Sequence, residues 1–167
     1  MKTLKNYLVE SVEMKRKYVS ITYTPETQEK LRSYCDNNGF DLTVDFYGNE
    51  QLSTDFKFHT TIFYTTSKHS IENTTYTLEE PKTVEPVSFE LLGAEKDIPV
   101  IKVMSDDIIE LREFYKSEYG MEDEWPDWKP HISLTYTRTT EFPENIQLPD
   151  FSLMYDKISI EDGALDV

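Results

Sequence analysis

Along most of this chain apolar and polar residues alternate in short runs, the period-2 pattern of half-buried strands, and two stretches break it with helical spacing. Tyr18 to Tyr23 (YVSITY) alternates and is rich in β-branched residues, which predicts a strand. Thr24-Pro25 then offers a cap followed by proline at the first helical position. Leu31, Tyr34 and Cys35 mark the inward face of that helix, and Gly39 ends it. A short strand is expected over 41–47, closed by Gly48-Asn49, and a clear one over Phe56 to Thr65 (FKFHTTIFYT). Residues 66–86 are polar and carry Pro81 and Pro86, so they read as a connector with an edge strand over 74–78. Residues 87–94 and 99–104 predict two strands joined by a charged turn. Ser105 caps a helix over 106–119, with Ile108, Leu111 and Tyr115 inward and Gly120 after its end. An acidic loop, EDEWPDWKP, leads into a strand opening at His131, and a last strand is expected over 157–161. At the N-terminus Leu4, Tyr7, Leu8 and Val12 predict a short amphipathic helix.

The order strand, helix, strand, connector, strands, helix, strand, strand places the chain in the α+β class. Two similar halves emerge: two pseudo-symmetric lobes of antiparallel sheet, helices packed outside, and a central cleft between them. The expected boundaries are a single domain over 1–167, with a helical extension over 1–16, one lobe over 17–65, a connector over 66–86 and a second lobe over 87–162.

Composition narrows the function. At 167 residues a domain buries roughly 70% of its unfolded surface and needs no staple. Cys35 is the one cysteine, which rules out an internal disulfide and points to a cytoplasmic home. No stretch approaches the ~20 apolar residues of a membrane helix, and the opening MKTLKNYLVE is too polar for a signal peptide. Seventeen basic residues against thirty-two acidic ones give a net charge of −15, which argues against a broad surface tracking long nucleic acid. A small anionic ligand in one local pocket is still compatible with that charge. Met104, Met121 and Met154 lack metal-ligand spacing, no Cys/His cluster exists for zinc, and five glycines form no phosphate loop. No metal and no cofactor are expected, and the chain is expected to act as a monomer.

One motif occurs twice. His59-Thr60-Thr61-Ile62-Phe63-Tyr64-Thr65 lies over His131-Ile132-Ser133-Leu134-Thr135-Tyr136-Thr137, each copy on the strand after the helix of its half. Ser and Thr fill 30 of 167 positions, so a hydroxyl two residues after a histidine is common by chance and the matched flanks carry the weight. On a strand, side chains at i and i+2 share a face. His59 therefore sides with Thr61 and His131 with Ser133, while Ile62, Tyr64, Leu134 and Tyr136 are expected on the opposite, helix-covered face. If the two strands face one cleft, two hydroxyls and two imidazoles surround a phosphate-sized space. His69 has no hydroxyl at +2 and reads as a surface residue.

These motifs resemble the signature of the 2H phosphoesterase superfamily, the LigT-like fold, with its two H-x-[ST] motifs on strands. Lys129-Pro130-His131-Ile132-Ser133-Leu134 is similar to the PH-[IL]-[ST]-L pattern of that superfamily. Phe58-His59-Thr60-Thr61 matches at His and Thr but lacks the usual apolar residue between them. The stretch VSFELLGAEKDIPVIKV also resembles the strand pair between the motifs, and the likeness spans roughly 17–162. Within the superfamily, this compact acidic chain most resembles the phage anti-CBASS nucleases of T4-like phages, which degrade cyclic oligonucleotide messengers of bacterial immunity.

The resemblance implies a metal-independent phosphodiesterase that cleaves 3′–5′ linked cyclic oligonucleotides in the host cytosol. One histidine would take the ribose 2′-OH proton and the other would protonate the leaving 5′-oxygen, with Thr61 and Ser133 holding the phosphate oxygens. Trp125 and Trp128 are candidates for stacking a base, and Lys129 for neutralising a phosphate. Alternatives are a 2′,5′-oligoadenylate phosphodiesterase, an enzyme acting on RNA ends with 2′,3′-cyclic phosphates, and a module that sequesters a nucleotide without cleaving it. The base, the ring size and the identity of the base and acid histidines are not fixed by the sequence.

Overall fold

The computed structural model describes residues 14–65, 68–122 and 127–163. Its strands are β1 (Lys17–Tyr23), β2 (His59–Tyr64), β3 (Thr74–Leu92), β4 (Ile98–Met104), β5 (His131–Ser133) and β6 (Leu153–Asp162). They form one antiparallel sheet of six strands in the order β2-β1-β6-β3-β4-β5. Helices α1 (Pro25–Asn37) and α2 (Asp106–Tyr119) complete the α+β architecture. Both begin as the sequence predicts. The Thr24 hydroxyl accepts from the Thr27 amide with Pro25 just inside the helix, and the Ser105 hydroxyl accepts from the Ile108 amide. Gly120 takes the left-handed conformation, φ +60°, that stops α2.

The two expected lobes are halves of this single sheet. β3 spans both, pairing with β6 through residues 74–84 and with β4 through 85–92. Residues 74–86 of the expected connector are therefore part of a central strand, which takes in the edge strand expected over 74–78. Its ladder shifts register between Thr77 and Lys82 and again between Pro86 and Ser88, and Pro81 and Pro86, which lack an amide donor, fall at these interruptions. Nor do the halves follow chain order, because β6 lies between β1 and β3 on the first side. The strand expected over 41–47 is instead a tight turn carrying a lone Val44–Glu50 bridge. The expected N-terminal helix lies outside the described residues except for 14–16, where Lys15 instead bridges His69 in extended conformation.

The core fills the space between the helices and one sheet face. Val19, Ile21, Tyr23, Ile62, Ile101, Ile132, Tyr155 and Ile160 meet Leu31 and Cys35 of α1 and Ile108 and Tyr115 of α2. Gln28 locks α1 to the sheet, its amide donating to the Tyr23 and Phe58 carbonyls while its oxygen accepts from the Phe58 amide. At the other end of β1, Lys17 is only 4% exposed and donates to Asp162 at 2.6 Å and Asn73 at 3.1 Å. Among the described residues no helix is long and apolar enough to cross a membrane.

Candidate active site

Because Ile62 and Ile132 face the core, the alternation of β2 and β5 turns His59, Thr61, His131 and Ser133 to the other sheet face. β2 and β5 are the first and last strands of the sheet, yet they meet. Thr60 Oγ1 donates to the His131 carbonyl at 2.9 Å, and the Trp128 indole N–H donates to the Thr61 carbonyl at 3.1 Å. A carbonyl only accepts, so the Thr60 proton goes to His131, and the Tyr23 phenol, 2.7 Å away, donates to Thr60. Thr60 is fully buried. The hydroxyl that departs from the apolar residue of the resembling motif is thus the bridge between the two halves.

The imidazoles are held alike. His131 Nδ1 lies 2.7 Å from the Lys129 carbonyl and His59 Nδ1 lies 3.3 Å from the Lys57 carbonyl, each two residues back in the chain. Since the partner is a carbonyl, Nδ1 carries the hydrogen in either protonation state. Nε2 is then the nitrogen that gains or loses a proton. Burial lowers the pKa of both rings. For His59 the Lys57 carbonyl and then Glu161 oppose that shift. For His131 the Lys129 carbonyl and Glu90 oppose it, while His59 lowers it further. The lowering of His131 by His59 is what a second positive ring does to a neighbour.

Each motif hydroxyl has a tyrosine. Tyr18 faces Thr61 and Ser20, its ring is edge-on to His59 at 6.2 Å, and burial pushes its phenol up to about 12. The Tyr136 hydroxyl meets Ser133, and burial raises its pKa as well. Tyr136 therefore packs against the core through Phe56, as expected, yet turns its hydroxyl to Ser133. The reason is that β5 stops at Ser133, so strict alternation does not carry on to residue 136.

The sheet also brings in side chains that the motif did not indicate. Lys102 is the direct partner of His131 on β4, and Val100 that of Ser133. On the other half, Ser20 lies opposite both Thr61 and Ser159, and Ser159 reaches Thr75 at 3.2 Å, a row of hydroxyls across the floor. Lys102 stands between buried Ile101 and Val103, so alternation placed it on the polar face, but its pairing with His131 required the register. Glu90 Oε1 lies 3.4 Å from Lys129, and Glu90 Oε2 is buried with no hydrogen-bond partner among the described residues. Trp128 is held by the protein itself: besides its bond to Thr61, Arg112 of α2 lies over its ring at 4.7 Å and donates to the Ile62 carbonyl at 2.7 Å. Trp125 lies outside the described residues. Among the described residues no three His, Cys, Asp or Glu side chains converge as metal ligands.

Comparison with known proteins adds four findings. The family described as Anti-CBASS protein Acb1 matches residues 15–162. The crystal structure of E. coli LigT complexed with 3′-AMP is similar over 93% of this chain and 91% of that one, at 14% identity and a TM-score of 0.48. Its complex with phosphate gives 13% identity over 89% and 86%, with a TM-score of 0.45. A putative BTB/POZ domain-containing protein, R830, of Acanthamoeba polyphaga mimivirus is 38% identical over 74 residues, which is 40% of this chain. The match covers 16% of the length of that curated relative.

Proposed function

This chain belongs to the Anti-CBASS protein Acb1 family, and from that premise we propose that it is a two-histidine phosphodiesterase of cyclic oligonucleotide messengers. The observation that carries the reading is the matched pair of imidazoles on touching edge strands, each with Nδ1 on a backbone carbonyl and each two residues from a hydroxyl. Such a pair supplies one neutral ring to accept a proton and one charged ring to give one.

The chemistry balances without a further reactant. A neutral imidazole takes the proton of a ribose 2′-OH through Nε2, and the 2′-oxygen attacks the adjacent phosphorus. The bond from phosphorus to the 5′-oxygen breaks as the second imidazole, protonated, delivers its Nε2 proton to that oxygen. The products are a 2′,3′-cyclic phosphate and a 5′-hydroxyl. Thr61 and Ser133 donate to the non-bridging oxygens, where one such donor typically contributes ~10²–10³-fold in rate. Tyr18 and Tyr136 orient those hydroxyls, since each phenol stays protonated by burial and meets one of them. Lys102 and Lys129 bring positive charge to a protein of net charge −15, which suits one small anion and not a long polyanion. Acting against a host immune messenger places the enzyme in the cytosol of an infected bacterium.

The test is incubation with a panel of cyclic di- and trinucleotides in EDTA, with products resolved chromatographically. Linear products bearing a 2′,3′-cyclic phosphate or its opened monoester are expected, and no turnover from H59A or H131A. Binding without product would make the protein a sequestering module, and activity lost in EDTA would make it a metal enzyme.

A further inference from the structure

Beside the site stands a turn whose build and surface disagree. Its backbone is tied at several points: Gln51 N donates to the Thr43 carbonyl at 2.8 Å, Asp45 N to the Asn49 carbonyl at 2.9 Å, and Gly48 N to the Asp45 carbonyl at 3.0 Å. The Asp45 carboxylate accepts from the Tyr47 and Asn49 amides, at 2.9 and 2.8 Å, and Gly48 at φ +83° lets the chain reverse. Thr137 donates to Asp41 Oδ2 at 3.4 Å and Thr135 to the Asp41 carbonyl, which fastens the turn to the segment just after Ser133. Yet this well-fastened turn holds Phe46 and Tyr47 64% and 65% exposed. Large aromatic rings gain most from being covered.

The exposed rings continue into the site. Phe46 is edge-on to Tyr47 at 5.3 Å and to Tyr136 at 5.6 Å, Tyr136 stacks on Phe56 at 5.3 Å, and its hydroxyl meets Ser133. Phe46 is therefore one aromatic ring away from a hydroxyl that the proposed mechanism places on the phosphate. The turn carries Asp41, Asp45 and Glu50 and no lysine or arginine over 41–51, so it does not attract phosphate. An uncharged, flat, π-faced group is what suits it.

We propose that Phe46 and Tyr47 form a stacking platform for a nucleobase of the substrate whose phosphate lies between His59 and His131. This rests on the phosphodiesterase reading above. Stacking tolerates any base, since every base has a π-face, so the platform sets affinity for base-bearing substrates without reading their sequence.

Two measurements test it. First, kcat/KM is compared between a cyclic dinucleotide and an abasic diester, 1-deoxyribose 3-methylphosphate, for wild type, F46A/Y47A and F46Y/Y47F. The preference for the base-bearing substrate should fall ~10–100-fold in F46A/Y47A and be kept in F46Y/Y47F. Second, a 2-aminopurine cyclic dinucleotide is titrated into H131A. Its fluorescence should be quenched on binding, and the quenching lost when F46A/Y47A is added to H131A. An unchanged preference, an equal loss on both substrates, or quenching that survives the double substitution overturns the platform. A wild type inactive on both substrates overturns instead the phosphodiesterase reading beneath it.

Discussion

Replacing Thr60 with valine removes one oxygen and keeps the shape of the side chain. In the wild type that oxygen accepts from Tyr23 and donates to the His131 carbonyl, at 2.7 and 2.9 Å, in a fully buried position. T60V therefore strands two polar groups, the Tyr23 hydroxyl and the His131 carbonyl, and opens no cavity. Each such group costs ~1–3 kcal/mol when left unpaired, so a loss of ~3 kcal/mol in total is reasonable. For a chain of this length that corresponds to a fall of ~6–12 °C in melting temperature. The same bond ties β2 to β5, so kcat should fall by one to two orders of magnitude as the histidines lose their fixed separation, in keeping with the cost of a ~1 Å misplacement. Circular-dichroism melts and cleavage kinetics on one preparation read both effects. T60S, which keeps the hydroxyl, should recover most of the activity. A T60V protein with wild-type melting and wild-type kcat would show that the bridge does not hold the site together.

Other expectations are independent of that bond. The ring resonances of His59 and His131 should titrate below 6.5 by NMR, because burial depresses both. Since the folded pKa lies below the unfolded one, their contribution to stability is complete above about pH 6.5 and is lost as pH falls through the folded values. E90Q removes a charge that raises the His131 pKa, so His131 should titrate lower still while His59 scarcely moves. D162N replaces the carboxylate that faces the buried Lys17 ammonium with a neutral amide, and urea melts should show a loss of ~2 kcal/mol. Wild type should lose that same increment only in acid, as pH falls through the depressed Asp162 pKa, which its bond to Lys17 sets first. W128F keeps a ring beneath Arg112 but loses the donor to the Thr61 carbonyl, which predicts a loss of ~1 kcal/mol and a several-fold lower kcat with unchanged products.

What local sequence revealed and what it hid have a common physical cause. Caps and stops depend on a few neighbouring residues, so Thr24-Pro25, Ser105 and Gly120 declared both helices. The sharing of a face by His59 and Thr61, and by His131 and Ser133, follows from strand alternation alone. Residues 74–86 hid a central strand because its exposed side chains and two prolines give no apolar alternation, and β6, its partner over 74–84, is remote in the chain. The reach of the Tyr136 hydroxyl to Ser133 was hidden because alternation does not carry past the end of β5. The role of Thr60, the pairing of Lys102 with His131 and the hold of Arg112 on Trp128 all depend on how distant strands and helices dock. No short window of sequence contains them.

The central claim is that His59 and His131 work as one unit on one phosphate, and a double-mutant comparison addresses it most directly. Cleavage of a cyclic trinucleotide in EDTA would be measured for wild type, H59A, H131A and H59A/H131A. Groups acting in a single concerted step lose nearly everything when either is removed, so each single variant should fall about as far as the double. Losses that multiply, with either single variant retaining substantial turnover, would mean that the two imidazoles do not share a reaction.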